Sequence, residues 1–539
     1  MLHNKNCIFM LCIGIIGMTL LLGIGVVTKI FLYKDNQNAG NYHELLPDNS
    51  TEEPLAYINE DFTVAEGFHS NLPIVILSLD GEVPEYKSFS ATGEENIIEN
   101  TDPYTTGTVS VIRDENGNND LSDNPVYYSQ MRIKKRGHTS YSYDKSQYLI
   151  KTVNEDGTDN ESDILDMGAG DSWILNGSMA DKSMIRNYLA YRIASEIDGN
   201  MMSPDSEFCE VLINRDGTYE YVGVYLLMET VSRGESRIDI EQYKEKNVYS
   251  SYIVRRDRFT NFDVMLNTYG RMNNLSEQWI GLKYPSANKI TEQTKQYIEN
   301  DFSKTEQILY AEDETYFKIY DKYIDIDTFV DYFLINEYFG NYDAGEHSTY
   351  MYKNSGDLLN IGPVWDFDQA MNNYFAEEIK PAKLAFQTKP IFDRLTKDQR
   401  FLTELKERYS KLQRKELSEE HVFSVIDETT DYLKSARARE WYRWAADYED
   451  GSFTNLHNYY LQDYMKNGVV ISRFNDNYEQ EIYNIKNYIH HHNTVIQEEL
   501  SKLMKSAKYN SSIKNENELF LIMIMVLFLV PSFYINKKG

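Results

Sequence analysis

Apolar and polar residues alternate along much of the chain, and Gly, Pro, Asn and Asp separate the alternating runs. Runs of about four to eight residues with this pattern are typical of β-strands bounded by turns. They predict strands at residues 73–79, 108–112, 131–135, 146–151, 208–213, 222–228, 252–254, 281–284, 350–352 and 358–364. The run at 222–228 is apolar almost throughout, which indicates a strand buried on both faces.

Other segments carry apolar residues three and four positions apart, which is the spacing of a buried helix face. They predict helices at residues 184–197, 291–309, 326–339, 400–415, 419–438 and 478–505. Asp181 is the expected N-cap of the first of them. The helix at 326–339 is strongly apolar, so we expect it at the centre of the fold.

Polar residues on two of these helices are interpreted as surface or capping groups. Arg186, Arg192 and Glu196 lie off the apolar stripe of their helix, so each is interpreted as a solvated or capping charge. The run His490–His492 falls on the last predicted helix, where neighbouring side chains point in different directions. We therefore interpret these histidines as surface residues and not as one metal site.

The two ends of the chain differ from the rest. Residues 7–27 carry no charge and are long enough to cross a bilayer, so residues 1–33 are predicted to be a retained membrane anchor. A cleaved signal peptide, or a lipoprotein site at Cys12, is the alternative. Residues 519–535 are predicted to be a second membrane segment. Lysines at the outer ends of the two segments favour a body outside the cytoplasm, whereas Lys29 and Lys34 argue the other way.

Composition divides the remaining chain. Residues 34–61 are polar and predicted to be a linker, and residues 72–505 form the predicted body. The chain has 54 Lys and Arg against 84 Asp and Glu, a net charge of −30, so nucleic-acid binding is not expected. Divalent cations or basic partners fit this charge better. Of three cysteines only Cys209 lies in the body, where it is predicted to be a small core residue.

The strongest candidate for chemistry is a pair of aspartates around a predicted hairpin. Asp343 precedes the strand at 350–352, and Asp366 follows the return strand at 358–364. A hairpin brings both to the same end, which suits one base and one metal ligand sharing a phosphate. The alternatives are an Asx turn at Asp343 and a cap at Asp366.

A second candidate is the turn RGHTS at residues 136–140, between two predicted strands. A Gly-containing turn rich in donors can hold an anion, and a plain hairpin turn is the alternative. The turn is not a P-loop, because the sequence has no Gly-x4-Gly-Lys-Ser/Thr.

Several segments together resemble the CotH family, spore-coat-type proteins with an atypical protein-kinase-like fold. These segments are RGHTS with KSQYLIK, WILNGSMADKSMIRNYLA, YVGVYLLMETV with RIDI, and GPVWDFD. The resemblance covers residues 72–505. It implies an α+β, two-lobed kinase-like body, with lobes at about 72–235 and 236–505, flanked by the two membrane helices.

The resemblance also implies roles for particular residues. Asp343 would orient the acceptor hydroxyl and accept its proton, and Asp366 would bind Mg²⁺ (or Mn²⁺) with help from Asp368. Lys151 would contact the ATP phosphates, with Lys145 as the rival for that role.

Three further positions have implied roles at the nucleotide. Arg136 would support the phosphates, and Glu229 marks the hinge where backbone groups would hold adenine. Glu196 would pair with Lys151.

The sequence departs from the family pattern at two points. No GxGxxG loop precedes Lys151, and Ser348 stands where a second metal-binding Asn is expected. A hydroxyl is a poorer Mg²⁺ ligand than an amide oxygen. The implied function is an ATP- and Mg²⁺-dependent kinase acting on Ser or Thr of coat or envelope proteins. A pseudokinase scaffold for such proteins, or a cell-wall polysaccharide binder suggested by aromatic richness, are the alternatives.

Overall fold

The structure, a computed structural model, describes residues 45–89, 95–98, 101–177, 179–197, 203–258, 263–276, 279–373, 384–450, 464–466, 469–471 and 478–509. The strands in these ranges are β1 (His69–Ser70), β2 (Ile74–Leu79), β3 (Lys87–Phe89), β4 (Glu95–Ile97), β5 (Thr105–Ile112), β6 (Asn119–Asp120), β7 (Tyr127–Arg136), β8 (Gln147–Val153), β9 (Ser162–Asp163), β10 (Ala169–Gly170), β11 (Ser172–Asn176), β12 (Ser206–Arg215), β13 (Thr218–Glu229), β14 (Tyr252–Arg256), β15 (Val264–Met265), β16 (Ile280–Tyr284), β17 (Thr349–Lys353), β18 (Asn360–Ile361), β19 (Tyr464–Lys466) and β20 (Val469–Ile471).

The helices in the same ranges are α1 (Arg186–Glu196), α2 (Tyr269–Met272), α3 (Glu292–Leu309), α4 (Glu314–Phe317), α5 (Ile326–Tyr338), α6 (Phe392–Leu395), α7 (Gln399–Leu412), α8 (Glu419–Tyr432), α9 (Lys434–Asp450) and α10 (Tyr478–Ser506). The molecule is therefore a mixed α/β protein, built from a β-barrel, a second sheet and helices.

Seven of the described strands close into a barrel in the order β11–β13–β12–β2–β5–β7–β8. β12 and β2 run parallel, the other neighbours run antiparallel, and β8 pairs with β11 to close the ring. Val75, Met131, Ile150 and Trp173 are among the buried residues that fill its core. Cys209 is buried in the same core, which confirms the prediction that it is a small core residue.

The second sheet has the order β15–β16–β14–β17–β18. Helix α5 packs against β18, α7 and α10, so the predicted central position of this helix is confirmed. Its aromatic residues Phe329, Tyr332 and Phe333 are completely buried. They belong to the largest apolar core of the described chain, which joins this sheet to the helices.

Helix α9 packs against β13 of the barrel, and buried ion pairs join it to Lys145 before β8 and to Glu210 on β12. Lys145 Nζ lies 2.6 Å from Glu440 Oε1, and both side chains are almost fully buried. Arg439 Nη2 lies 2.6 Å from Glu210 Oε2, again with both side chains buried. A helix from late in the chain is thereby fixed to the barrel formed early in the chain.

The helix predicted at 419–438 is in fact two, α8 and α9, which meet at Leu433. The carboxylate of Asp48, itself buried, accepts the N–H of Ser435 at 2.8 Å, at the start of α9. This contact satisfies one of the free N–H groups at a helix N-terminus. It comes from within the predicted linker, so residues near Asp48, and also the buried Ile58, pack on the body instead of lying in solvent.

The predicted membrane segments at 1–33 and 519–535 lie outside the described residues. Within the residues that the structure does describe, none of the helices combines the length and apolar character needed to cross a bilayer.

Candidate functional site

The loop at residues 340–348, here called the Asp343 loop, joins the central helix α5 to strand β17. The carbonyl oxygen of Asp343 accepts the N–H groups of Glu346 at 3.2 Å and His347 at 2.9 Å. The N–H of Gly345 donates to Thr349 Oγ1 at 2.7 Å. These bonds turn the chain tightly, so Asp343 is held at the end of a buried helix.

The hairpin of β17 and β18 returns the chain to this loop at Asp366. The Ser348 hydroxyl donates to Asp366 Oδ2 at 3.0 Å, so the two ends of the hairpin meet. Both residues have left-handed backbones, with φ of 48° at Ser348 and 65° at Asp366. Such strain in residues other than Gly is uncommon and clusters at functional sites.

Helix α1 fixes the segment that carries Asp366. The N–H of Asp366 donates to Tyr191 Oη at 3.2 Å, and the next N–H donates to Asn187 Oδ1 at 2.6 Å. Arg186 Nε donates to the Ala370 carbonyl at 3.1 Å. The interpretation of Arg186 as a solvated charge is therefore wrong. Its side chain is buried because it joins this helix to the aspartate segment.

Burial and like charge perturb the aspartates of this site. The pKa of Asp343 is raised to about 6, first by burial and then by the charge of Asp366, against the opposing charges of Arg258 and Lys389. Burial also raises the pKa of Asp368 well above its usual range, with contributions from Asp366 and Asp343 and a hydrogen bond to Asp366. Carboxylates that are buried close together with raised pKa values are typical of cation-binding and catalytic sites.

The barrel presents a row of cations on the outer side of β7 and β8. In the strand register Arg132 stands opposite Lys151, and Arg136 stands opposite Gln147. Met131 and Ile150 fill the barrel core, so the alternate residues Arg132, Lys134, Arg136 and Lys151 face outward; we call these four the cation face. Burial lowers the pKa of Lys134, and the charge of Lys151 lowers it further.

The cation face is turned toward the second sheet. Leu149, which shares the face with Lys151, packs against the core of the second sheet and helices. The pKa of Lys283 on β16 is lowered, first by burial and then by the charges of Arg255, Arg136 and Lys134. A fifth cation therefore faces the same space. Sequence reasoning missed Lys283, because nothing local distinguishes one lysine in a short strand.

The turn RGHTS lies beside the Asp343 loop and runs into a 3₁₀ turn at Thr139–Ser142. Lys87 Nζ donates to the Gly137 carbonyl at 2.5 Å, which anchors the turn. Burial and the charge of Arg258 lower the pKa of His138 to about 4. The same two causes, together with Lys389 and His138, lower that of His347 to about 4. Both imidazoles are therefore neutral near pH 7.

Two residues considered for the nucleotide site, Lys145 and Glu196, bind other partners in the structure. Lys145, the rival of Lys151, is buried against Glu440 and the Val224 carbonyl, on the α9 side of the barrel. Glu196 does not pair with Lys151: it contacts Arg192 at 2.5 Å and also His421. Sequence periodicity shows which face of a helix is apolar, whereas these partners come from distant segments.

Glu229, the expected hinge residue, is the last residue of β13. Its N–H donates to the Asp205 carbonyl at 3.1 Å, and its carboxylate accepts the Asp205 N–H at 2.9 Å. Arg237 Nη1 lies 3.3 Å from the Glu229 carboxylate. Burial raises the pKa of Glu229 to about 8. The Glu229 N–H is therefore occupied within the protein.

A magnesium ion fits this donor set, although no three His, Cys, Asp or Glu side chains of the described residues converge at metal-binding distance. Mg²⁺ is commonly held by one or two carboxylates together with water and substrate phosphates. Asp366, Asp368 and the Ser348 hydroxyl offer such ligands. Gln369 Oε1, next in sequence, is a buried oxygen with no hydrogen-bond partner in the described structure.

The comparison with protein families connects this geometry to known proteins. A family model described as CotH kinase protein matches residues 133–496, which is most of the chain. The chain belongs to the CotH kinase family. The matched range contains the site residues from Arg136 to Asp368, and the family is kinase-like and related to the spore coat. A comparison with curated proteins gave no match.

Proposed function

We propose that this CotH-family chain is a membrane-anchored protein kinase. It transfers the γ-phosphate of ATP to Ser or Thr of coat or envelope proteins, with Mg²⁺ or Mn²⁺ as the metal. The observation that carries the proposal is the meeting of Asp343, Asp366 and Ser348 at one end of a hairpin, in electrostatic contact with one another.

The proposed kinase has a two-lobed arrangement. The barrel and its cation face supply the phosphate contacts from one side, with Arg136 and Lys151 as the principal groups. The Asp343 loop and the Asp366 segment supply carboxylates from the other side. Positive groups on the phosphates and carboxylates on the metal are the division of labour that phosphoryl transfer requires.

Asp343 acts as the base in this proposal. Its pKa of about 6 leaves it mainly ionised near pH 7, yet basic enough to accept the proton of an acceptor hydroxyl. Asp366 holds the metal, assisted by Ser348 and Asp368. Because the Glu229 N–H is occupied, the adenine contacts come from other backbone groups near this strand end.

Location and partners follow from the sequence. The apolar segments at 7–27 and 519–535 support a protein anchored in the cell membrane, with its body outside the cytoplasm. The net charge of −30 favours protein partners over nucleic acid.

The test is phosphorylation by the full chain in detergent, with ATP labelled at the γ-phosphate, beside Asp343→Ala and Asp366→Ala. We expect transfer by the wild type that both variants lose. Label that persists in both variants would contradict the assigned roles. Absence of both transfer and Mg-ATP binding in the wild type would support the scaffold, which the hydroxyl at Ser348 favours.

A further inference from the structure

Lys389 is a buried cation that none of the roles above uses. It follows the 3₁₀ turn Phe386–Thr388, and its N–H donates to the Phe386 carbonyl at 3.1 Å. Its own carbonyl accepts the N–H of Asp393 at 2.8 Å, in the first turn of α6. The backbone is thus fixed on both sides, and the residue is only 5 % exposed.

The side chain of Lys389 packs along the Asp343 loop. Its Nζ lies 4.4 Å from the centroid of the Tyr342 ring, immediately before Asp343. A Cβ added at Gly345 would come within 2.7 Å of Lys389 Cβ, and Gly345 has φ of 91°. Glycine at this position therefore lets the lysine approach the loop on both sides of Asp343.

The ion pair of Lys389 is looser than those of other buried lysines. Its Nζ is 3.7 Å from Glu346 Oε1, and the Glu346 side chain is 39 % exposed. By contrast, Lys145 lies 2.6 Å from Glu440, and Lys353 lies 2.8 Å from Asp301. A buried ammonium normally needs close compensation, so the long contact leaves Lys389 with capacity for another anion.

We propose that Lys389 is a second catalytic residue of the transfer, whose ammonium contacts the phosphoryl group while it moves from ATP to the acceptor. This proposal rests on the proposed kinase function. The acceptor oxygen forms a bond to the γ-phosphorus, and the bond from that phosphorus to the bridging oxygen breaks. ADP leaves with the electron pair, and the hydroxyl proton passes to Asp343.

Lys389 gives and takes no proton in this step. Its charge offsets the negative charge on the phosphoryl oxygens, and its place beside Asp343 keeps it on the acceptor side. Arg136 and Lys151 of the cation face act from the barrel side. The two sets of cations would therefore bracket the transferred group, which a single set on the barrel cannot do.

A first experiment locates the lysines near bound nucleotide without requiring turnover. The full chain is treated with ATP that carries an acyl group on its γ-phosphate. A nearby free amine attacks the acyl carbon, an amide forms, and ATP leaves. Burial lowers the pKa of Lys389, which increases its free amine.

We expect mass spectrometry to find acylation of Lys389 and Lys151, and we expect excess ATP to suppress it at both residues. At the control residue Lys353, the extent of acylation should not depend on ATP. ATP-sensitive label at Lys151 without any at Lys389 would overturn this inference and leave the nucleotide site intact. Label that ATP suppresses at no lysine would overturn the nucleotide site, and with it both proposals.

A second experiment separates catalysis from structure. In Lys389→Met we expect kcat for transfer to fall about 100-fold, the range found for removing one preorganised charge contact, with Mg-ATP affinity within about threefold of wild type. Lys389→Arg should recover at least about a tenth of the rate. Lys353→Met is the matched control and should retain kcat.

Circular dichroism of each variant establishes that it is folded. A folded Lys389→Met with unchanged kcat would overturn the assignment. Equal loss in the Met and Arg variants would also contradict it, because it would indicate a packing role in place of a charge contact.

Discussion

The contact of α9 with the barrel and the aspartate site both bury charge, and they do so in opposite ways. At α9, Glu440 Oε1 lies 2.6 Å from Lys145 and Glu440 Oε2 accepts the Val224 N–H at 2.8 Å. At the site, the charge of Asp366 adds to burial in raising the pKa of Asp343, and the Ser348 hydroxyl donates to Asp366 Oδ2 across the two ends of the hairpin.

The difference separates structural charges from functional ones. A buried pair with all its partners contributes to a fixed arrangement, whereas removal of one partner leaves an uncompensated charge. Like charges that lie close together are typical of sites that bind a cation or transfer a proton. We therefore expect mutations at α9 to change stability and mutations at the aspartates to change activity.

The largest expected effect is on activity. Asp343→Asn should lower the rate of transfer by about 10²–10⁴-fold, because the acceptor hydroxyl loses its base. Its thermal unfolding temperature should be unchanged or higher, since a like charge is removed. Initial rates and thermal scans measure this, with Asp357→Asn in the exposed hairpin turn as control. Retention of the rate within threefold would contradict the role of Asp343.

The counterpart at α9 is an effect on stability. Glu440→Gln leaves Lys145 as a buried unpaired charge, so the free energy of unfolding should fall by about 3–5 kcal/mol. Glu499→Gln removes the partner of the exposed Lys502 and should cost less than about 1 kcal/mol. Denaturant titration compares the two. Equal losses of unfolding free energy in both variants would contradict a structural role for the buried pair at α9.

The pH dependence gives an intermediate effect. With its pKa near 6, Asp343 should make the rate rise about tenfold per pH unit below that value and level off above it. Because the folded pKa lies above the unfolded value of about 3.9, the stability that Asp343 contributes should be lost as pH rises from about 4 through 6.

Asp343→Asn serves as the control in these pH experiments. Its stability should not show the fall with rising pH that Asp343 causes in the wild type. A rate–pH profile, and unfolding measured without metal, test the two statements. A flat profile between pH 5 and 7 would sink the assignment of Asp343 as base.

The smallest effect is expected at Ser348. Ser348→Asn places an amide oxygen beside Asp366 and should tighten Mg²⁺ binding a few-fold, because amide oxygen is the better ligand. Asn also tolerates the left-handed backbone at φ 48°, so stability should change by less than about 0.5 kcal/mol. Ser348→Ala loses the hydroxyl and should weaken binding. Calorimetric titration with Mg-ATP distinguishes the two variants, and tighter binding by Ser348→Ala would contradict the ligand role.

Local patterns determined much of this molecule. The alternation of apolar residues predicts the strands of the barrel, and the 3.6-residue spacing predicts α5 ahead of Asp343. The hairpin between Asp343 and Asp366 also follows from local turn residues, and the bond from Ser348 to Asp366 shows that its ends meet. These features depend on neighbouring residues, so one sequence suffices to predict them.

Tertiary structure alone decided which charges are structural and which face the site. Lys145 and Lys151 look alike in sequence, yet one is buried against a helix near residue 440 and the other lies on the cation face. His492, interpreted as a surface residue, is completely buried and bonds to the Glu337 carbonyl at 2.8 Å, which corrects that interpretation.

Lys389 reaches the Asp343 loop only because distant segments pack together. Sequence periodicity determines which side of an element is apolar. The partner of a buried charge, in contrast, depends on how segments far apart in the chain pack together. There, each buried charge needs an opposite charge or a ligand.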